Sequence, residues 1–405
     1  MTEKPRIFSL ALLVATLGYF VDVYDLVLFI VLKNPSLEAL GVPKEEWIDV
    51  GAQLLDTQML GMLAGGLVWG VLGDKIGRTK VLFGSILLYS VANILNAFVH
   101  SIPSYHVYRA LAGFGLAGEL GAGVTLVAEI LPTRLRGYGT TIIATIGVLG
   151  AVIAGITGEY LPWRASYVVG GVLGLLLLFV RVSVSESKMF EATHTMDVAR
   201  GSIKLIVAAP ERLFRYVLCI LLGIPTWYVI GILVANAAPL SQALHVVGAP
   251  KPTFCLVWAY LGIMLGDAVG GLASQFVKSR KKPMYIFLFL GLITPLWFLS
   301  THGMSVMEVY LHYLIMGFAA GYWILMLTAA TEQFGTNIRS TVTTTIPNFI
   351  RASVVPMNMA FLWLREAYEI VTSAMVVGVI TSGVALVSLF LLRETFSRDL
   401  DFVER

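Results

Sequence analysis

The chain has 405 residues, of which 57% are hydrophobic and 13% charged, with a formal net charge of +3. Soluble chains carry roughly 45–50% apolar and about 25% charged residues, so a soluble multidomain enzyme is excluded as the default. The charge is too small to point to nucleic acid, and Cys219 and Cys255 lie in apolar stretches without metal or redox spacing, as small buried hydrophobes do.

A short polar start leads directly into an apolar run at 7–32. A cleavable signal has a shorter core and a small-residue cleavage site. This run exceeds the about 20 residues that a membrane span needs, and it reads as the first span. Further runs follow at 52–73, 80–99, 104–128, 138–159 and 166–184. A second set lies at 214–236, 253–277, 284–301, 306–330, 340–364 and 371–392. Their continuity excludes a closed barrel, whose strands alternate. The expected fold is therefore an all-α polytopic membrane protein of about twelve helices.

The longest polar break, 185–213, divides the spans six and six, giving a first half at 1–184, a linker, and a second half at 214–405. Lys and Arg gather on one side of the spans, among them Lys75, Arg78, Arg136, Arg181, Arg215, Arg280 and Arg339. By the positive-inside rule both termini face the cytoplasm, and a bacterial inner membrane is the expected location. The halves repeat each other. Glu129, Thr133, Arg136, Thr140 and Thr141 follow span four, and Glu332, Thr336, Arg339, Thr343 and Thr344 follow span ten at the same spacing. Duplicated halves around a midplane site are a recurrent transporter design. Small residues recur at four-residue spacing, as in Gly61/Gly65, Gly66/Gly70 and Gly262/Gly266/Gly270. Such stripes either pack helices statically or let the two halves rock.

Several of these segments resemble the major facilitator superfamily. Gly70, Asp74, Gly77, Arg78 and Lys80 stand in the loop after span two like its signature loop. The matching place in the second half, Gln275 to Lys282, keeps the basic cluster but lacks the Asp and Gly. Arg109, Gly113 and Gly115 open span four like the superfamily's Arg-then-glycine motif, and Arg393, Glu394 and Thr395 resemble a Glu-Thr tail. Glu186 to Phe190 resembles a stretch after span six, without its usual proline. Asp22, Tyr24 and Asp25, with Glu119 in span four, resemble the metabolite:proton and sialate/lactate:proton symporters. That resemblance implies the major facilitator fold and carriage of small organic acids, with some zwitterions among the substrates.

Charges inside spans are costly and mark function. Asp22 and Asp25 share one face of span one. Counted from the span ends, Asp25 and Arg109 lie at matching depth and are expected to meet. Asp22, Asp25, Glu119 and Arg109 are the candidates for proton coupling, since a carboxylate that alternates between an apolar and an Arg-bearing environment takes up and releases a proton. The alternative is that Asp25 permanently neutralises Arg109. Arg351, in span eleven, has two possible partners: Asp267 at similar depth in span eight, or a substrate carboxylate held by its planar fork. Thr345, Asn348 and Ser353 around it suggest a wet cavity. Tyr24, Trp227, Tyr228, Tyr313, Tyr322 and Trp323 are candidate cavity aromatics, against a plainer role in packing. Pro225, Pro347 and Pro356 either expose backbone near a site or merely kink their helices. The resemblance implies a gate at the cytoplasmic edge, for which Asp74, Gly77, Arg78, Glu129 and Arg136 are the candidates, with Asp74 able to face the N-terminus of span eleven. The plainer alternative is a tight turn with solvated charges.

The resulting expectation is a monomeric, proton-coupled symporter of a small organic anion, its partners being the substrate, protons and the lipid bilayer. It needs no cofactor or metal. The alternatives are a carrier of zwitterions or sugars, an uncoupled facilitator, and a membrane-embedded enzyme or sensor. No paired metal-ligand histidines, Gly-x-Ser-x-Gly or phosphate-binding loop supports the last of these.

Overall fold

The computed structural model of the protein describes residues 10–181, 200–398 and 400–404. It is almost wholly helical, as hydrocarbon demands of a backbone that must satisfy its own hydrogen bonds. The first six spans are Leu10–Ala39, Trp47–Ile76, Arg78–Ala97, a fourth in two pieces (Ile102–Leu116 and Glu119–Ile130), Thr133–Tyr160 and Trp163–Arg181. Span seven, Pro210–Tyr228, continues as a π-helical turn at Val229–Val234. Spans eight and nine are Pro252–Val277 and Lys281–Ser300. Span ten is broken into Val306–Ala320 and Trp323–Gln333, span eleven into Arg339–Ala352 and Val354–Ala367, and span twelve is Ile370–Leu391.

Among the described residues, eleven of these segments are long and apolar enough to cross a membrane. Span eleven completes the twelve. Its first piece carries five Ser and Thr residues and two Arg, and stays in the interior because other helices surround it. Residues 185–199 of the expected linker, with the Glu186 to Phe190 stretch, lie outside the described residues. From Gly201 the chain runs into a short helix, Ile203–Ala208, and span seven opens at Pro210, inside the stretch read as linker. Pro at the first helical position suits a helix start, since its missing N–H has no partner there in any case.

The two six-helix halves meet mainly through spans two and eleven, five and eight, and four and eleven. Glycines decide how closely. A Cβ on Gly66, Gly70 or Gly73 would strike Asn348, Thr341 or Ser340 of span eleven, and one on Gly121 would strike Thr344. Gly61 and Gly65 instead face Ala110 and Phe114 of their own half. The two adjacent stripes of span two thus have different jobs: one packs the half, and the other lets span eleven approach.

Candidate functional site

On the basic face the duplicated motifs interlock. Glu129 accepts from Arg78 of its own half at 3.0 Å and from Arg339 of the other half at 3.1 Å. Glu332 accepts from Arg280 of its own half at 2.8 Å, and Arg136 of the other half approaches it at 3.6 Å. Each glutamate therefore holds one guanidinium from each half. Asp74 adds a grip that the second half lacks. It accepts the backbone N–H groups of Ser340 and Thr341 at 3.0 and 2.8 Å and the Thr341 hydroxyl at 2.7 Å. Those N–H groups lie in the first turn of span eleven, where they have no partner within the helix and the dipole favours an anion. Gly77 joins spans two and three at φ 110°, open to glycine and strained for other residues. Arg78 also donates to the Thr336 carbonyl across the halves at 3.1 Å. The C-terminal tail closes over this layer: Arg339 donates to the Leu400 carbonyl, and the Thr395 hydroxyl donates to Glu332.

At mid-membrane a cavity of about 30 Å³ lies among Tyr19, Trp227, Tyr260, Trp323, Thr226 and Arg351, with Val23, Leu26, Val148, Ile230 and Ile263. That is room for about two waters. Arg351 Nη2 stands 3.8 Å from Asp22 Oδ2, an ion pair that joins the two halves across the cavity wall. The guanidinium is aimed by Asn348, whose Oδ1 accepts from Arg351 Nη1 at 3.2 Å. Asn348 is itself fixed by donating to the Ala117 carbonyl at 3.1 Å. That carbonyl is available because span four breaks there. The break in span ten has a matching use, since the Thr226 hydroxyl donates to the Ala320 carbonyl at 3.3 Å.

Several expectations change here. Arg351 does not pair with Asp267. Asp267 Oδ1 accepts the Ile324 N–H at 3.1 Å and so caps the second piece of span ten. The apolar run at 306–330 gives no sign of that helix start, so depth alone suggested the wrong partner. Asp25 lies within electrostatic reach of Arg109, but no hydrogen bond joins them. Arg109 donates to Gln58 and stacks 4.5 Å from the Phe29 ring. Glu119 pairs with Arg181 away from the cavity. Tyr24, Tyr228 and Tyr322 turn from the cavity and donate to the carbonyls of Ser166, Ala374 and Leu222. Tyr19 and Tyr260, for which nothing in the sequence argued, line it instead, together with Trp227, Trp323 and Arg351. Glu332 and Arg339 stand out in the repeat and Arg280 in the basic cluster at 275–282, but nothing in the sequence shows their cross-pairing.

Twelve helices in two interlocked halves, with broken spans bordering a charged central cavity, define a secondary transporter. The chain belongs to the Major Facilitator Superfamily, whose family model matches residues 9–355. It is an integral membrane transporter of small molecules, not an enzyme. A Haemophilus influenzae relative, whose name describes metabolite transport, is 27% identical over 99% of this chain and 100% of its own. The benzoate transport protein of Acinetobacter baylyi is 24% identical over 82% of this chain and 78% of its own. The solved proton:xylose symporter XylE superposes with a TM-score of 0.78 at 17% identity, covering 97% of each chain, a likeness of fold.

Proposed function

We propose that the protein is a proton-coupled symporter of a small organic anion, and that the anion is a flat, largely apolar carboxylate such as an aromatic acid. The basic face is taken as cytoplasmic, in a bacterial inner membrane. The Asp22–Arg351 pair carries the reading. At 3.8 Å with no hydrogen bond between them, it is a loose pair beside the cavity. A substrate carboxylate can offer the guanidinium two parallel hydrogen bonds and so displace Asp22. Asp22, left buried without its cation, then takes a proton in place of the lost partner. Charge supports one proton per anion, since an added buried carboxylate is balanced by one added proton.

The lining favours rings over polyols. Two Trp and two Tyr surround a cavity whose other polar groups are Thr226 and Arg351, and aromatic faces suit flat apolar ligands. The A. baylyi relative's name, a benzoate transport protein, agrees with this. The test is purified protein in proteoliposomes, with labelled benzoate and xylose as probes and a pH gradient imposed or absent. Benzoate accumulation that requires the gradient is expected. Xylose uptake without benzoate uptake would replace the anion reading, and benzoate uptake indifferent to pH would remove the coupling.

A further inference from the structure

The first half contains a second polar region that the substrate cavity does not use. On span three Ser85, Tyr89, Asn93 and Asn96 share one face. On span one Gly18, Asp22 and Asp25 do the same, and on span six Gly170, Gly174 and Arg181. The three faces meet. A Cβ on Gly170 would strike Asp25, one on Gly174 would strike Ser90, and one on Gly18 would strike both Glu119 and Arg181. Ordinary side chains at these glycines would fill the region with carbon; glycines leave it to the polar groups.

Those groups are buried and largely unsatisfied. No hydrogen bond from the described residues reaches either oxygen of Asp25, the Tyr89 hydroxyl, Ser90 Oγ, either amide atom of Asn93, Glu119 Oε2, or Arg181 Nε and Nη1. Asn93 toward Asp25 and Ser85 toward Glu119 come near enough to act as weak partners. Each buried polar atom left alone costs about 1–3 kcal/mol, and so many together are met in proteins by ordered water. Tyr89 lies among these faces: a Cβ on Gly174 of span six would come within 3.0 Å of its ring edge, and one on Gly115 of span four would strike its backbone and Cβ. Asp22, Asp25, Glu119 and Arg181 are the charged groups whose fields reach its hydroxyl. Arg109 lies beyond Asp25, and Arg351 beyond Asp22.

We propose that this column is a water-filled proton path inside the first half, running from Asp22 and Asp25 past the Tyr89 hydroxyl to Glu119 at the break of span four and on to Arg181 at the basic end of span six, separate from the route of the substrate. A proton leaving an aspartic acid passes through water to the Tyr89 oxygen, which gives up its own proton toward the Glu119 carboxylate. Protonated Glu119 releases Arg181, which stays charged, and the proton leaves to water at the basic end. The path explains how Asp22, paired with the cavity's Arg351, discharges while the gate beneath that cavity is sealed. It rests on the coupled reading above only for its direction and use.

Two measurements test it. Brief X-ray radiolysis of the purified protein makes hydroxyl radicals from water in place, and these add oxygen to a touching ring. Tyr89 is expected to take label, while Tyr228 and Tyr313, equally buried with hydroxyls bonded to the Ala374 and Leu233 carbonyls, take none. An unlabelled Tyr89 overturns the path whatever the substrate proves to be. In proteoliposomes, Tyr89→Phe is expected to slow benzoate uptake driven by a pH gradient about 100-fold, the lower end of what a lost proton relay costs. Benzoate exchange, which moves no net proton, stays at the wild-type rate. Driven uptake equal to wild type overturns the path. Wild-type protein that moves no benzoate overturns the substrate reading instead, and the radiolysis result then decides the path alone.

Discussion

Arg351 sits where two demands meet. A guanidinium near the bilayer centre costs about 3 kcal/mol or more if left alone, yet a fully satisfied one has nothing to offer a ligand. The protein meets both by giving it one firm contact, Asn348 at 3.2 Å, and one loose one, Asp22 at 3.8 Å. Arg351→Lys keeps the charge and loses the fork, so benzoate affinity is expected to fall about 10- to 100-fold, or about 1.4–2.7 kcal/mol. Isothermal titration reads this directly, and unchanged affinity would remove Arg351 from the binding site. Asp22→Asn removes the titrating group but keeps its shape. It is expected to abolish accumulation driven by a pH gradient while exchange persists, and wild-type accumulation in that variant would sink the coupling assignment.

At the scale of the helix, the breaks in spans four and ten do the positioning. They occur at equivalent places, and each frees a carbonyl that a side chain from another helix then takes. Asp267 secures the restart of span ten. Asp267→Asn is therefore expected to lower stability by about 1 kcal/mol, the usual scale of a cap, with benzoate affinity unchanged. A large loss of affinity without loss of stability would return Asp267 to the binding site. The tail is held in a similar way. Burial alone would raise the Glu394 carboxyl, but hydrogen bonds from Ser279 Oγ and the backbone N–H groups of Arg280, Phe396 and Thr395 outweigh it and hold the group below its usual 4.5. A group depressed in the folded state stabilises above its unfolded value and loses that contribution as pH falls through the folded one. The melting difference between wild type and Glu394→Gln is thus expected to be full at pH 7 and to shrink below pH 4.5. A difference that stays constant with pH would show that the charge of Glu394 does not hold the tail. The number of spans and the position of Asp74 against span eleven were legible in the sequence, because hydrocarbon length and helix-end chemistry act locally. The partners of Arg351 and Glu119 were not. Residue counting gives depth along a helix but not its rotation about the axis, and the glycines at the two breaks look like those that merely pack.

For the molecule as a whole, the two halves contribute unequally to the contacts across the closed basic face. The cross-paired Glu129 and Glu332 are near copies of each other, each bridging the halves. Asp74 has no such copy. Its counterpart region offers Gln275, which lies against Gly137 at the start of span five and carries no charge. Hydrogen bonds to an ionised acceptor are worth about 1.5–3 kcal/mol each, and Asp74 accepts three from span eleven. An amide in its place keeps one acceptor oxygen and sets a second donor against the donors of span eleven. A loss of about 3 kcal/mol from the closed state moves the balance between closed and open about 100-fold. Thr343 reports on that balance. It is buried between the halves, its hydroxyl 2.6 Å from that of Thr125. With Cys219 and Cys255 replaced by alanine, Thr343→Cys is expected to resist N-ethylmaleimide in the parent and to react readily once Asp74→Asn is added. The same reactivity in Asp74→Asn and in the parent would show that the glutamate pairs hold the face closed without Asp74. The gate would then be as symmetric as the repeat that builds it.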